Sequence, residues 1–297
     1  MQKPYLTLSV EADYVPYEVF VNGGFVSTDL TGWAGAETTA INPFVRSGSN
    51  QIAVLLYPWH PQPEAAPSFE PRAHLSLHVR VRDLSLPDAP ELAVTSLRFE
   101  GSKLDDAALS APGELNGISV GALRVERVDF DGKLLLSFDL GLSLPFPEWA
   151  FLRSQPAAPA YTLSEAEIEP HYTRLLSAYE NIWQLLSAKA VDELMPLFAE
   201  RSREIDIAMY RSEGTTQAKL RESLASAVHD ETRSLAPIRP EEGAWKYDVG
   251  PSGTLLRLSD GAQSSAIIRF PEKADPRASI GYNIAFRVQG DQLVVAR

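Results

Sequence analysis

The chain has 297 residues, 44% of them apolar and 22% charged, with no cysteine and a formal net charge of −12. That length suggests about two domains, and the composition is that of a folded chain rather than a disordered one. The missing cysteine excludes disulfides, thiolate metal sites and cysteine nucleophiles together. The acidic balance, with no run of three Lys or Arg, argues against nucleic acid, whose phosphates require a basic face, and leaves a basic protein or a neutral ligand as compatible partners.

The first 145 residues alternate with period two, the signature of half-buried strands. Leu6, Leu8 and Val10 alternate with Thr7, Ser9 and Glu11. Residues 17–21 lead into Asn22-Gly23-Gly24, which can adopt the positive φ values of a tight hairpin. Residues 51–57 are almost continuously apolar and read as a central strand. In residues 74–82, Leu75, Leu77, Val79 and Val81 share one face, and His74, Ser76, His78 and Arg80 the other. Further strands are expected at 93–99, 118–130 and 133–142, the last two joined at Asp131-Gly132. About eight short strands without a helical segment make a β-sandwich or barrel.

Pro145, Pro147, Pro156 and Pro159 mark a stiff linker over residues 146–162. Beyond it the period changes: Ile168, Tyr172, Leu175, Tyr179, Ile182 and Leu186 recur every three or four residues, with Leu176 and Trp183 widening the stripe of an amphipathic helix. Ser164-Glu165-Ala166-Glu167 has capping-box spacing, and Leu163 with Ile168 could form a hydrophobic staple. Pro170 predicts a kink or a restart with the proline in the first turn. A second helix is expected from Asp192 past an irregular Pro196 to Met209, and a third over 216–228. The tail is β again: Trp245, Tyr247 and Val249 alternate, strands follow at 254–258 and 266–270, and Ile280, Tyr282, Ile284, Phe286 and Val288 predict one long strand that turns at Gly290-Asp291 into 293–295. Helices followed by antiparallel strands make an α+β domain over 163–297.

Two resemblances follow from these residues. Val19-Phe20-Val21-Asn22-Gly23-Gly24, followed by Ile41-Asn42-Pro43-Phe44-Val45-Arg46-Ser47-Gly48-Ser49-Asn50-Gln51-Ile52-Ala53-Val54, resembles the galactose-binding-like jelly rolls, in which such a hairpin precedes such a stretch. The physics agrees: Gly48 turns the chain, Asn50 can satisfy local backbone groups, and the apolar run enters the core. These positions are structural, so the resemblance implies a fold and not a ligand. Residues 163–297 are similar in pattern to the cystatin-like domains of the nuclear-transport-factor-2 type, which implies helices on a curved antiparallel sheet around a cone-shaped cavity. Function does not transfer with either fold.

Signatures of catalysis are missing: there is no GxSxG, HExxH, Walker A loop or strand-borne GxGxxG. Among the five histidines, His60, His74, His78, His171 and His229, His74 and His78 would stand about 13 Å apart on one strand face, too far to share a metal comfortably. Asp129-Phe130-Asp131-Gly132 lacks the further oxygens of a calcium loop and reads as a hairpin turn; Asp105-Asp106 reads as a loop or cap. No cofactor and no metal are expected. Tyr172, Tyr179 and Trp183, with His171, Glu180 and Asp206, could surround a cavity in the C-terminal domain and move a proton there, although the three aromatics lie on or beside the core-facing stripe and His171 lies off its centre, on the exposed side. Trp33, in Thr31-Gly32-Trp33-Ala34-Gly35, and Trp59 with His60, in Tyr57-Pro58-Trp59-His60-Pro61, are loop residues suited to stacking on a sugar ring or anchoring a protein.

The sequence therefore reads as an all-β, jelly-roll-like sandwich over 1–145, a linker over 146–162 and an α+β, cystatin-like domain over 163–297. Its expected role is that of a non-enzymatic binding or interaction protein, with a protein or glycan partner met through Trp33, Trp59 and His60. That profile fits bacterial two-domain proteins that neutralise toxins, and envelope assembly factors. The alternatives are a small-molecule or catalytic site in the C-terminal cavity, lined by Tyr172, Tyr179 and Trp183, and a structural or oligomerisation scaffold. No stretch nears the roughly 18 apolar residues of a membrane span, so no membrane insertion is expected. Met1 to Thr7 carries no basic-then-apolar leader; as it stands the chain reads as cytoplasmic, and as periplasmic if Met1 replaces a trimmed leader.

Overall fold

The computed structural model describes residues 1–58, 68–102, 107–111, 115, 117–128, 132–157, 164–238, 245–249, 251–260 and 266–297. The chain divides into two compact units, Met1–Trp149 and Ala150–Arg297. Strands outweigh helices, and every strand pairing described is antiparallel.

The N-terminal unit contains β1 (Pro4–Asp13), β2 (Tyr17–Val21), β3 (Gly24–Asp29), β4 (Gly35–Ala40), β5 (Gly48–Leu56), β6 (His74–Asp83), β7 (Leu92–Glu100), β8 (Ala108–Ser110), β9 (Ile118–Val120), β10 (Arg124–Arg127) and β11 (Leu134–Leu142). One sheet has the order β4-β1-β6-β7-β8. The other runs β10-β11-β5-β2-β3, with β9 also paired to β11. The period-two pattern becomes sided burial. Leu6, Leu8, Val10 and Ala12 of β1 and Leu75, Leu77, Val79 and Val81 of β6 are buried, and each leucine or valine contributes roughly 1.5–3 kcal/mol. β5 sits between β11 and β2, and Ile52, Ala53, Val54 and Leu56 are all buried there, as a central strand requires. The expected strand over 118–130 is instead two, β9 and β10, which pair in turn with the two ends of β11 and are separated by Gly121 to Leu123.

The β2–β3 turn is of the tight, left-handed kind, with φ of 52° at Asn22 and 77° at Gly23. Asparagine side chains then lock the second sheet. Asn22 donates to the Phe44 carbonyl and to Asn50 Oδ1, both at 2.8 Å, and accepts the Gln51 N–H at 2.9 Å. Asn50 is fully buried; its Oδ1 also takes the Arg46 N–H at 2.8 Å, and its amide donates to the carbonyls of Arg46, Gly48 and Leu140. Asn42, equally buried, accepts the Leu6 N–H at 2.7 Å and donates to the Pro4 carbonyl at 2.9 Å. Gly48, at φ 98°, supplies the bend that lets Asn50 reach back to Arg46.

The stretch expected as a linker is, over its first residues, part of the packed structure. Phe146 and Trp149 are buried and stack with ring centres 5.6 Å apart, and the Trp149 indole N–H donates to the Val45 carbonyl at 2.6 Å. Phe151, in a 3-10 turn over Ala150–Arg153, is buried as well. Three aromatic residues within six positions have too much apolar surface to stay solvated, whatever the surrounding prolines suggest. Residues 158–163, and with them the Leu163 staple, lie outside the described residues.

The C-terminal unit continues with α1 (Glu165–Ser187), α2 (Val191–Leu194), a 3-10 turn over Met195–Phe198, α3 (Ala199–Ala208) and α4 (Thr215–His229). It ends in β12 (Trp245–Val249), β13 (Leu256–Asp260), β14 (Ile268–Pro271), β15 (Ser279–Tyr282), β16 (Phe286–Gln289) and β17 (Gln292–Val295). The expected capping box forms: Glu167 accepts the Ser164 N–H at 2.9 Å and the Ser164 hydroxyl at 2.6 Å, which holds its carboxyl below the usual range. Against expectation, α1 runs unbroken through Pro170. The proline removes a single N–H from the ladder, and the stripe Leu175, Tyr179, Ile182 and Leu186, buried in the core, holds the rest. The long strand expected over 280–288 is two strands in different sheets: β15 pairs with β14, whereas β16 belongs to the sheet β12-β13-β16-β17. Alternation persists across the break because it reports which face is buried, not which strand is the neighbour.

Replacing Asn50 by Ala strips partners from one backbone N–H, three carbonyls and the Asn22 amide. We expect N50A to lose about 2–4 kcal/mol, read as a drop of several degrees in the melting temperature of the unit. A variant that melts within one degree of wild type would mean that the network is not needed for stability.

Candidate functional site

At one end of the N-terminal unit the loops after β1, β3 and β5 come together on Pro16. Gly32, at φ 70°, lies against it: a Cβ there would stand 3.2 Å from the Pro16 ring. The Tyr57 N–H donates to the Pro16 carbonyl at 2.9 Å. The β3–β4 loop is shaped by Asp29, whose Oδ1 accepts both the N–H and the hydroxyl of Thr31, while the Thr31 hydroxyl receives the Trp33 N–H at 3.3 Å. Trp33 emerges from this loop with 65% of its surface exposed. Two further aromatics stand in the neighbouring loops. Tyr14 has the Arg72 guanidinium 4.2 Å over its ring. Tyr57 donates its hydroxyl to Glu18 at 2.5 Å, with the Lys133 ammonium 5.5 Å from its ring. Trp59 and His60 lie outside the described residues, as do Asp105-Asp106 and the Asp129 to Asp131 stretch.

In the C-terminal unit the residues expected around a cavity are distributed differently. Tyr179 is 1% exposed, packs edge-on to Phe286 at 5.1 Å and donates its hydroxyl to the Ile284 carbonyl; burial pushes that hydroxyl's pKa well up. It is a core residue. Trp183 is half-buried, its indole N–H given to the Ala236 carbonyl at 2.7 Å, and Tyr172 is half-buried against the same core. His171, expected on the exposed side, is half-buried and stacks on the Tyr247 ring at 5.7 Å. Glu180 is exposed. Asp206 is buried and accepts the N–H and hydroxyl of Thr216, at 2.8 and 2.5 Å, in the first turn of α4, where an acceptor for unpaired helix donors is needed. It therefore serves as a cap and not as a proton-transfer partner of His171.

A cleft of about 220 Å³ does open in this unit, one helical face away. Ile182 and Leu186 of α1, Phe198, Leu224 of α4, Ile268 and Ile284 supply its apolar walls, and Arg201 of α3 is the one charged residue lining it among the described residues. Arg201 could have been found in the sequence, since Leu194, Phe198 and Arg201 recur at spacings of four and three and so place a cation on an apolar stripe. Ion pairs hold α3 in place around it. Glu200 takes the Arg287 guanidinium in a two-pronged pair at 2.9 Å, and Glu204 takes that of Arg297 at 2.8 Å while accepting the Ala150 N–H at 2.6 Å. Burial depresses the Arg297 pKa, and the Glu204 charge opposes that shift.

Among the described residues no group of three or more His, Asp or Glu side chains is placed to hold a metal ion, and no helix is long and apolar enough to cross a membrane. Compared with known proteins, the chain matches no family model, no curated protein and no solved structure.

The Glu204–Arg297 pair is buried on both sides. Removing one partner from such a pair leaves an uncompensated charge, so E204A is expected to cost about 3–5 kcal/mol. Chemical denaturation of the variant checks this, and a loss below about 1 kcal/mol would mean that solvent reaches Arg297.

Proposed function

We propose that the protein is a non-enzymatic binding module whose N-terminal unit meets a protein or glycan partner through the loop end that carries Trp33. One observation carries this reading: a tryptophan with 65% of its surface exposed stands on a loop held in shape by Asp29, Thr31 and the Gly32–Pro16 contact. An exposed indole costs solvation free energy that a bound partner recovers, and a loop already held in one shape loses little entropy on binding. Tyr14 and Tyr57 extend the surface with rings that a sugar or a protein side chain can stack upon. Trp59 and His60, in the loop that begins at Tyr57, are assigned to the same surface on sequence grounds. The net charge of −12 favours a basic protein or an uncharged glycan over an acidic partner.

We also infer the finer folds: a galactose-binding-like jelly roll for the N-terminal unit, supported by the hairpin at Asn22-Gly23 and the buried Asn50, and a cystatin-like arrangement for the C-terminal unit, supported by four helices preceding antiparallel strands.

The test compares wild type with the W33A/W59A double variant in capture from lysate and on a glycan array. A partner retained by wild type should bind the variant at least about thirtyfold more weakly, the equivalent of a 2 kcal/mol hot spot, with both proteins melting within about two degrees of each other. Equal retention by the variant would overturn the reading. A fall of many degrees in its melting temperature would identify the tryptophans as core residues instead.

A further inference from the structure

The C-terminal cleft combines apolar walls with a cation that has no counterion among the described residues. Arg201 makes no hydrogen bond and no ion pair among the described residues, and its Nε is enclosed without a partner. Of the carboxylates nearest to it in sequence, Glu200 pairs with Arg287 and Glu204 with Arg297, while Asp206 bonds Thr216 through Oδ1 and keeps an enclosed Oδ2 without a partner, and none of them forms an ion pair with Arg201 among the described residues. A half-buried guanidinium with an enclosed Nε is costly when unpaired and gains strongly from a carboxylate. Its environment is unfavourable to charge, since burial, and then the positive charge of Arg297, bring its pKa down to about 10. At the mouth of the cleft stands Asn283, exposed, with an amide that bonds to no described residue. Tyr282 beside it has its hydroxyl tied to Ser223 at 2.8 Å, leaving Arg201 and Asn283 as the polar groups open to a ligand.

We propose that this cleft binds a small apolar monocarboxylate, with the acid group paired to Arg201 and assisted by Asn283, and the hydrocarbon body lying between Leu186, Phe198, Leu224 and Ile284. Charge and size both select this class. A single cation in an apolar setting matches a single negative charge, whereas a phosphate or a dicarboxylate would bring charge that nothing else in the lining balances. The volume of about 220 Å³ is that of about seven liquid waters, enough for an acid the size of hexanoate, benzoate or, with its tail toward the open side, octanoate. This proposal concerns a different unit from the Trp33 surface and stands without it.

The experiment is a titration of the full-length protein with sodium hexanoate, benzoate and octanoate, and with 1-octanol as the uncharged control, followed by calorimetry and by amide chemical shifts. Saturable binding of at least one acid is expected, with shifts centred on residues 182–186, 198–201, 220–224 and 281–284, and with 1-octanol at least tenfold weaker. R201Q should bind the same acid about 10- to 100-fold more weakly, the loss associated with one charge-assisted pair. It should melt at or above the wild-type temperature, because it removes an unpaired cation. Three results would overturn the proposal: no acid saturating below about 10 mM, equal binding by R201Q, or equal binding of 1-octanol. If R201Q does not fold, the wild-type shift map and the octanol comparison decide the matter by themselves.

Discussion

The N-terminal unit depends on one buried hydrogen bond, that from Asn22 to Asn50 at 2.8 Å. Asn22 sits in the hairpin between β2 and β3, and Asn50 sits at the start of β5. Their amides also satisfy the backbone at Arg46, Gly48, Gln51, Phe44 and Leu140, so a turn, a loop and two strands of one sheet are tied at a single point. Buried backbone groups have to find partners, and here two side chains meet that need where the ladder cannot. The arrangement explains why an irregular loop can be buried beside a sheet, and why Trp149 can dock its indole on the Val45 carbonyl in the same loop.

The C-terminal unit is organised by charge as much as by apolar packing. Burying an ion pair seldom adds net stability, yet it makes the alternatives to the paired arrangement expensive. Helix α3 uses Glu200 and Glu204 on Arg287 and Arg297, and Asp206 on the first turn of α4. Those contacts position the helix against β16, the C-terminal residue and α4. They also direct the two glutamates beside Arg201 to other guanidinium groups. Arg201, at the wall of the apolar cleft, is left without a counterion among the described residues by this distribution.

The aromatic residues of the two units differ in what surrounds them. Tyr179 and Trp183 have buried or half-buried rings, and each finds a main-chain carbonyl for its polar atom, which is how such side chains are accommodated in a core. Trp33 keeps 65% of its surface exposed, while its backbone is held by Thr31 and, through it, by Asp29. A rigid loop presenting an apolar ring has the character of a contact surface.

Much of the local structure was legible in the sequence by itself. The alternation in β1 and β6, the positive φ at Asn22-Gly23, the capping box at Ser164 and Glu167, the stripe of α1 and the bonds of Asn50 to Arg46 and Gly48 all follow from spacing and from the chemistry of single residues, because each depends on neighbours within a few positions. Tertiary structure alone decided the rest. Period two could not reveal that residues 279–282 and 286–289 join different sheets, since strand partners are chosen over long sequence distances. Prolines suggested a stiff linker where Phe146, Trp149 and Phe151 are buried. Helical spacing placed Tyr179 and Ile182 on one face, but which of them would line a cleft and which would fill the core depended on how α4, β14 and β15 pack there. Whether Arg201 has a counterion depended on where Glu200, Glu204 and Asp206 turned, and each of those partners, Arg287, Arg297 and Thr216, is brought to α3 only by the folded chain.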